Sequence, residues 1–487
     1  MDLTELSIEQ ARLGLKRRAF SCLDYVEALL AQSARHQGLN CLIWRDEEAL
    51  RRSARAFDKA PRQTRLAGIP LVLKDNIDIA GLPTTAGTGK LRGHIAATDA
   101  RITQLLFNEG ALLAGKANMD ELALGVTGNN GIFGPCRNPY APTYIAGGSS
   151  GGCAGALAAR LAPGAIGTDT SGSVRLPAAL CGVVGFRPSA HRYPQSGIVP
   201  VSHTRDTAGP MARTVHDVAL LDSILCGEMV TDELARLSPE RLRLGVLHMP
   251  CWQDLEPGVE MVCAQALAKL EAARVTLVEV RIERLEELST KAAIPISLYE
   301  LARDLPAYLR QNGKRWSLAD LSEEIVSQDV MVMIKHLLAR EVSDISYWQA
   351  LHARAELQRL YQICFHEHHL DALIFPTSKL TARQIGDDVT IDLNGVHVPT
   401  FTAFTRNTEP ASIAGLPGIS LPAGLSMEGL PVGLELDGAY NRDRTLLAVA
   451  ATVEEILNPV VSGATSETGV ATGSAQFIRR FGRPRSF

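Results

Sequence analysis

The sequence of 487 residues lacks the features that mark membrane and exported proteins. A bilayer span needs roughly 20 apolar residues, but the most apolar segment, residues 152–166, is interrupted by Arg160 and Pro163. The N-terminus opens with acidic residues and has no apolar stretch of the kind found in secretory signals. We therefore expect a soluble chain that is neither exported nor bound to a membrane.

Cysteine pairs and basic charge are scarce as well. The nine cysteines are odd in number and dispersed, and they form no CxxC pair, which disfavours a disulfide framework. A formal net charge of -4 gives no sign of the basic surface that nucleic-acid-binding proteins need. We expect a cytoplasmic protein with reduced thiols that binds a small molecule and no nucleic acid.

Hydrophobic periodicity indicates an α/β protein. From residue 68 onward, short apolar runs alternate with helical stretches such as residues 100–108. The runs predict a large mixed β-sheet with helices on both faces, and they lie at residues 69–73, 111–114, 164–167, 183–186, 242–247, 275–280, 372–375 and 419–421.

Composition and periodicity also suggest how the chain is divided. Residues 1–60 have helical spacing with caps at Ser7 and Ser21, and residues 285–369 are helical in pattern throughout. We expect one α/β domain over residues 1–459, with a helical layer at 1–60 and a helical excursion at about 285–369. Residues 460–487 are rich in Gly, Ser and Thr and predict a flexible or partner-docked arm.

Two serine-glycine clusters carry the strongest chemical signal. Ser149 and Ser150 open a predicted helix, and Ser173 lies 24 residues after Ser149, before a helix predicted at residues 174–180. Glycine-flanked turns at helix starts present free backbone amides that favour negative charge. Each cluster is therefore a candidate for holding a nucleophile or an anionic intermediate.

The glycine run around Ser149 does not match the other known glycine-rich motifs as well. The run is not followed by the Lys-Ser/Thr of a phosphate-binding Walker loop, and it is not the GxGxxG of a dinucleotide fold. Residues 148–152 match G-x-S-x-G, so Ser150 is an alternative nucleophile of the α/β-hydrolase type. That alternative needs a buried strand directly before the motif, whereas residues 138–145 contain two prolines and predict a loop.

A serine nucleophile needs a base, and Lys74 is the candidate. It ends the apolar run Gly-Ile-Pro-Leu-Val-Leu and is followed by Asp75 and Asn76, so it is expected at the carboxyl edge of the sheet. Burial would lower the pKa of a lysine towards the range useful for a base. An isolated lysine at a strand end usually has no catalytic role. Lys74 is a candidate base only because the two serine clusters occur in the same sequence.

The three motifs LVLKDNID, GGSSGG and GTDTSGSVRLPA, in this order and with these gaps, resemble the amidase signature family. The resemblance runs from about residue 3 to residue 459 and includes AGLPGISLPAG. It implies an amidase-signature α/β fold and hydrolysis of a small carboxylic amide to an acid and ammonia. Within the family, the chain looks like the indoleacetamide and mandelamide hydrolases, which act on primary aryl-acetamides.

The resemblance also implies roles for individual residues. The catalytic lysine falls on Lys74, the bridging serine with a cis peptide bond on Ser149, and the acylated serine on Ser173. The remaining implied residues are the oxyanion-binding amides of Thr170, Ser171, Gly172 and Ser173, and the supporting residues Ser150, Asp169 and Arg175. Ser171 stands where many relatives have glycine, which would introduce strain if its φ had to be positive.

The resemblance further implies chemistry without a metal or organic cofactor, and a homodimer. The run 366–369, His-Glu-His-His with Cys364 before it, lacks the HExxH spacing and is expected to be a solvated helix end. For the pocket wall, the resemblance points to the segment after Asn118, the helical excursion and residues 401–413. Candidate aromatic contacts within or near these parts are Phe133, Tyr144, Tyr299, Trp316 and Phe401.

Three other functions stay open at this point. The same residues serve relatives that act on carbamoyl compounds such as allophanate, a biuret derivative or a urethane. They also serve the amidase subunit of a tRNA-dependent amidotransferase, which needs protein partners. A purely structural role for the glycine clusters is the third.

Overall fold

A computed structural model describes residues 2–227 and 233–458. The expected elements are present, and α1 and α2 begin with the side-chain caps predicted at Ser7 and Ser21. The strands are β1 Leu42–Trp44, β2 Pro70–Lys74, β3 Leu112–Ala117, β4 Asn129–Asn130, β5 Gly134–Pro135, β6 Gly164–Asp169, β7 Val184–Arg187, β8 Thr207–Ala212, β9 Arg243–Leu247, β10 Thr276–Val280, β11 Ala372–Pro376, β12 Thr390–Leu393, β13 Val396–Pro399, β14 Gly418–Leu425 and β15 Pro431–Asp437.

The helices alternate with these strands over most of the described chain. They are α1 Ile8–Lys16, α2 Cys22–Arg35, α3 Glu47–Lys59, α4 Arg101–Asn108, α5 Gly151–Ala158, α6 Arg175–Cys181, α7 Val215–Leu225, α8 Pro257–Ala272, α9 Leu285–Gln311, α10 Leu318–Ser322, α11 Gln328–Ala339, α12 Asp344–Glu367, α13 Thr400–Thr405, α14 Glu409–Ala414 and α15 Asp443–Leu457. Helices α9 to α12 occupy the region predicted to be helical.

One mixed sheet of 11 strands runs through the molecule, in the order β1-β3-β2-β6-β8-β7-β14-β15-β11-β9-β10. Edge strand β1 is antiparallel to β3. Strands β3, β2 and β6 are parallel to one another, as are β11, β9 and β10 at the other end, and the strands between these two groups pair antiparallel. The prediction of a large mixed sheet in an α/β fold is confirmed.

Helices cover both faces of this sheet. Adjacent residues of β6 point to opposite faces. Ile166 packs in a core with α1, α2 and α7, whereas Ala165 packs in another with α5. Because both faces of β6 are buried, the strand is apolar throughout until Thr168 and Asp169 at its end.

The fold brings two of the motifs together at one edge of the sheet. Strand β2 pairs in parallel with β6, with Leu73 opposite Ile166. The carboxyl ends of the two strands therefore lie side by side, which places Lys74 next to Thr168 and Asp169. Helix α5, which follows the first serine cluster, packs against both strands.

Candidate active site

Lys74 lies at the centre of the site and is fully buried. Its Nζ donates to Ser149 Oγ at 2.8 Å and to Thr168 Oγ1 at 2.9 Å, and it lies 3.4 Å from the Thr168 carbonyl oxygen. Burial lowers the pKa of Lys74 from 10.5 to about 8, an effect that the nearby acidic groups oppose only in part. The amine can therefore lose its proton close to neutral pH.

Ser149 lies on the turn before α5, and the Gly148–Ser149 peptide bond is cis. The turn is tightly packed, since a Cβ on Gly152 would lie 2.4 Å from the carbonyl oxygens of Asn118 and Cys41. A side chain at this glycine would push α5 away from β3. The glycines of this cluster thus allow the serine to approach Lys74.

Ser150 is buried, and its hydrogen bonds join the GGSSGG motif to the GTDTSGSVRLPA motif. Its hydroxyl donates to the Thr168 carbonyl at 3.1 Å, and its backbone N–H donates to the Ser173 carbonyl at 3.0 Å. The residues before it, 138–148, contain isolated bridges but no strand. An α/β-hydrolase elbow would need a strand there and an exposed hydroxyl, so that alternative for Ser150 is excluded.

Ser173 lies in the loop between β6 and α6, is 9% exposed and lines a pocket. Its carbonyl is bonded to Ser150, which places it beside the Ser149 turn. Among the described residues, no hydrogen bond joins the Ser149 and Ser173 hydroxyls. Catalytic hydrogen bonds often tighten only when substrate is bound.

The backbone amides of residues 170–173 have different environments. The Gly172 amide donates to Asp169 Oδ1 at 2.8 Å, so it holds the loop in shape. No described residue accepts a hydrogen bond from the amides of Thr170, Ser171 or Ser173. The expectation that all four amides bind an oxyanion therefore needs correction for Gly172, because its N–H already has a carboxylate partner.

Gly172 and Ser171 have different backbone requirements. Gly172 has a φ of 133°, and a Cβ there would lie 2.2 Å from Thr408 Oγ1. Ser171 does not have positive φ. The strain considered for serine at this position does not arise, and its hydroxyl accepts a hydrogen bond from Arg205 at 2.8 Å.

Asp169 and Arg175 form a buried ion pair behind the loop. Arg175 donates to both oxygens of Asp169, at 3.1 and 3.2 Å, and to Glu435 at 2.7 Å. Burial alone would raise the pKa of Asp169, but the charges of Arg175 and Arg187 outweigh it and hold the pKa below its usual range. An ionised Asp169 then fixes the loop through the Gly172 and Val174 amides.

Several residues of the site were missed by the sequence analysis. Thr168 accepts a hydrogen bond from Lys74, Arg187 donates one to Asp169, and Glu435 accepts one from Arg175. The signal for Thr168 was available, since it lies in the motif GTDT at the end of a predicted strand. Arg187 and Glu435 lie on β7 and β15, and only the sheet order brings them close.

Asp120 is a further buried group near Ser149. It accepts hydrogen bonds from the Gly128 amide at 3.0 and 3.1 Å, and a Cβ on Gly148 would lie 1.8 Å from its Oδ2. Burial, and then the charge of Asp329, raise the pKa of Asp120 to about 8. Its carboxyl group thus fits only against a glycine at position 148.

The pocket beside Ser173 is mostly apolar. The three regions indicated by the resemblance all contribute to it. Its lining residues are Ala123, Leu124, Gly125, Val126, Gly148, Thr170, Ser171, Gly172, Ser173, Val201, Ile294, Ser297, Leu298, Met333, Phe401, Thr405 and Glu409. A larger surface cleft of about 950 Å³ lies near α1 to α3, but it contains none of the motif residues.

Of the five candidate aromatic residues, Phe401 alone lines this pocket. Phe133 packs against Arg92, and Tyr299 stacks on Tyr347 with 3.9 Å between ring centroids. Trp316 lies beneath two lysine ammonium groups, and Tyr144 packs against the core around α6. Four of the five therefore have structural neighbours elsewhere.

The candidate metal ligands include none of the motif residues. The run 366–369 is at the end of α12, where His366 and His369 are exposed, as expected. Within the described ranges, one group has metal-like spacing, formed by His203, Glu300 and Asp304. Glu300 already accepts hydrogen bonds from Ser202, Thr204 and Tyr347, so this group joins the loop at 202–204 to α9.

A search of the described helices for a long apolar segment that could cross a membrane found no candidate.

Comparison with known proteins gives one consistent family. The model of the family described as Amidase matches residues 24–447. An indoleacetamide hydrolase of Agrobacterium vitis is 43% identical, over 93% of this chain and 97% of that protein. A mandelamide hydrolase of Pseudomonas putida is 38% identical, over 96% and 95%. A crystal structure described as an amidase superposes with a TM-score of 0.83 at 33% identity, covering 93% of this chain and 100% of that one.

Proposed function

The chain belongs to the amidase family and is a hydrolase of amide C–N bonds, and we propose that Ser173 is its nucleophile, activated through Ser149 by Lys74. The observation that carries this proposal is the buried amine of Lys74, which lies 2.8 Å from Ser149 Oγ. A Ser-Ser-Lys set can do the work of a Ser-His-Asp triad, because geometry and proton transfer define the mechanism.

The reaction then proceeds in two halves. Neutral Lys74 takes the proton of Ser149 as Ser149 takes that of Ser173, and Ser173 Oγ attacks the amide carbon. When the tetrahedral intermediate collapses, the C–N bond breaks and the proton returns through Ser149 to the leaving nitrogen, which departs as ammonia. Water uses the same relay to attack the acyl-enzyme, and the acid product leaves Ser173 free.

The free amides of Thr170, Ser171 and Ser173 are the proposed donors to the oxyanion. A single donor of this type contributes roughly 3 kcal/mol to the transition state in better-studied sites. Asp169 and Arg175 support the loop that presents these amides, and Ser150 joins it to the Ser149 turn. These roles need no metal or organic cofactor.

We propose a primary aryl-acetamide, such as indole-3-acetamide or mandelamide, as the substrate. The apolar lining of the pocket, which includes Val126, Ile294, Leu298 and Phe401, suits an aromatic acyl group. The relatives at 43% and 38% identity, an indoleacetamide hydrolase and a mandelamide hydrolase, support the same class. A carbamoyl substrate would be favoured by arginines in the pocket, and the described lining residues include none.

The domain boundaries, assembly and location remain part of the proposal. We propose one domain over residues 1–459, and an arm at 460–487 that lies outside the described residues. A homodimer fits the exposed apolar side chains of Val332, Ile345 and Trp348 on α11 and α12. Cytoplasmic location fits nine cysteines that are dispersed along the chain and form no CxxC pair. Light scattering on the purified chain tests the dimer.

The first experiment measures ammonia release from indole-3-acetamide, mandelamide and phenylacetamide, with and without a serine-directed acylating inhibitor. We expect hydrolysis that the inhibitor abolishes, with the adduct on Ser173 by mass spectrometry. An adduct on another serine contradicts the assignment of the nucleophile. A purified chain that leaves all three amides intact contradicts the aryl-acetamide proposal, and a carbamoyl substrate or a missing partner subunit would then be tested.

A further inference from the structure

Glu409 carries the only charged side chain among the described residues that line the pocket. It is the first residue of α14, and its side chain is 21% exposed. The apolar residues of the pocket offer no polar contact to a substrate. A carboxylate in a mostly apolar pocket loses hydration, which costs free energy. The presence of Glu409 here therefore calls for a structural or functional explanation.

Arg205 explains how this charge is held in place. Arg205 is fully buried, and its Nη2 donates to Glu409 Oε1 at 3.2 Å and to Ser171 Oγ at 2.8 Å. Its Nη1 donates to Ser297 Oγ at 2.7 Å and to the Ala293 carbonyl at 3.0 Å. The guanidinium thus fixes Glu409 against the loop of residues 170–173 on one side and α9 on the other.

One carboxylate oxygen of Glu409, Oε2, remains available to accept a hydrogen bond. Glu409 Oε2 has no hydrogen-bond donor among the described residues, whereas the neighbouring polar side chains are engaged. The Thr405 hydroxyl donates to the Phe401 carbonyl at 2.8 Å, the Thr170 hydroxyl donates to Asp206 at 2.6 Å, and Ser297 accepts from Arg205. An ionised carboxylate accepts hydrogen bonds and cannot donate them.

The position of Glu409 favours contact with the acyl part of the substrate. The leaving nitrogen must lie within reach of Ser149, which accepts a hydrogen bond from Lys74, and Lys74 in turn also donates to Thr168. Glu409 belongs to a separate set of hydrogen bonds through Arg205. Through Arg205, these hydrogen bonds reach Ser297 on α9, and Ile294 and Leu298 of the same helix also line the pocket.

We propose that Glu409 determines substrate specificity by accepting a hydrogen bond, at Oε2, from an N–H or O–H group in the acyl part of the amide. This inference rests on the proposed aryl-acetamide function. Hydrogen bonds to charged groups correspond to roughly ten- to hundredfold in an equilibrium or rate ratio. An aryl-acetamide with such a donor is therefore preferred over an analogue of similar shape without one.

The test compares two pairs of amides by kcat/KM. Indole-3-acetamide has a ring N–H that naphthalene-1-acetamide lacks, and mandelamide has a hydroxyl that phenylacetamide lacks. We expect the donor-bearing member to be favoured by roughly tenfold or more in at least one pair. The pair that shows the preference identifies whether the donor lies on the ring or beside the carbonyl.

The variant Glu409→Gln separates this role from a structural one. Its single amide oxygen can keep the bond to Arg205, which leaves an NH₂ group facing the substrate. We expect the preference to disappear in this variant, because kcat/KM falls more for the donor-bearing amide than for its partner without a donor. Glu428→Gln, at an exposed position, is the matched control and should keep the preference.

Two results would overturn the inference. One is an equal kcat/KM for both members of each pair in the unchanged protein. The other is a loss in Glu409→Gln that is the same for all four amides, which would place Glu409 against a part of the substrate that they share. If phenylacetamide and the other three amides are all left intact, the proposed function itself fails, and the inference fails with it.

Discussion

Replacement of Lys74 by Met tests whether burial makes this lysine a base. Methionine has a similar length and no charge, so the variant removes the proton acceptor and most of the activity. It also removes the Nζ donor to Ser149 and Thr168. Thr168 Oγ1 keeps the Asn76 side-chain amide as a donor at 3.0 Å, so the loss of hydrogen bonding is partial.

The magnitude follows from the pKa of the lysine. A decrease from 10.5 to about 8 corresponds to roughly 3 kcal/mol. Between these two values the unfolded chain binds more protons at this residue than the folded protein does. Stability therefore rises with pH across this window, and the full penalty for burying Lys74 applies below about pH 8.

The assay is equilibrium unfolding of the parent and of Lys74→Met at pH 7 and pH 10. We expect the parent to gain on the order of 2 to 3 kcal/mol relative to the variant between the two conditions. Titrations common to both proteins cancel in this difference. Lys59→Met, at an exposed position, should run parallel to the parent.

The same lowered pKa predicts how activity depends on pH. The neutral fraction of Lys74 should increase roughly tenfold between pH 7 and pH 9, and kcat/KM of the parent with it. Parallel stability curves for the parent and Lys74→Met, together with a rate that is flat from pH 7 to pH 9, would refute the assignment of Lys74 as a buried base.

Other replacements test the relay and its supports. Ser173→Ala and Lys74→Ala should each remove most of the rate, and the double variant should lose little more, because residues that act as a unit are not additive; additive losses in ammonia release would contradict the relay. Arg175→Met should lower the free energy of unfolding by roughly 3 to 5 kcal/mol, since the buried Glu435 loses its ion-pair partner and the buried Asp169 keeps only Arg187, whereas the exposed Arg281→Met should change it little; equal melting temperatures for the two would contradict the buried ion pair. Ser171→Gly should lower stability by about 1 kcal/mol, because it removes a hydrogen bond and relieves no strain, and a higher melting temperature would show that the serine is strained after all.

Much of the fold could be predicted from hydrophobic pattern, but two inner strands were missed for physical reasons. Strand β8 contains Gly209 and Pro210, which usually indicate a turn, yet it lies between β6 and β7. Strand β15 ends in acidic residues, which suggest a surface loop. Glu435 and Asp437 are nevertheless fully buried, and Arg175 bonds Glu435 at 2.7 Å.

The sequence alone determined which residues to consider for the chemistry. The three motifs, through their resemblance to the amidase signature family, made Lys74, Ser149 and Ser173 the candidates, and the glycines around them predicted tight turns. These features are local, since a motif depends on residues that are neighbours in the chain. Together with the family resemblance, they predicted the reaction class and supplied the list of candidate residues.

Only the tertiary structure determined the burial, hydrogen-bond partners and pKa values of those residues. The pKa of Lys74 depends on complete burial, the Gly172 amide is occupied by Asp169, and Glu409 is held in the pocket by Arg205. Arg205 lies 204 positions before Glu409 in the chain. Contacts over such separations are set by sheet order and helix packing, which local patterns do not encode.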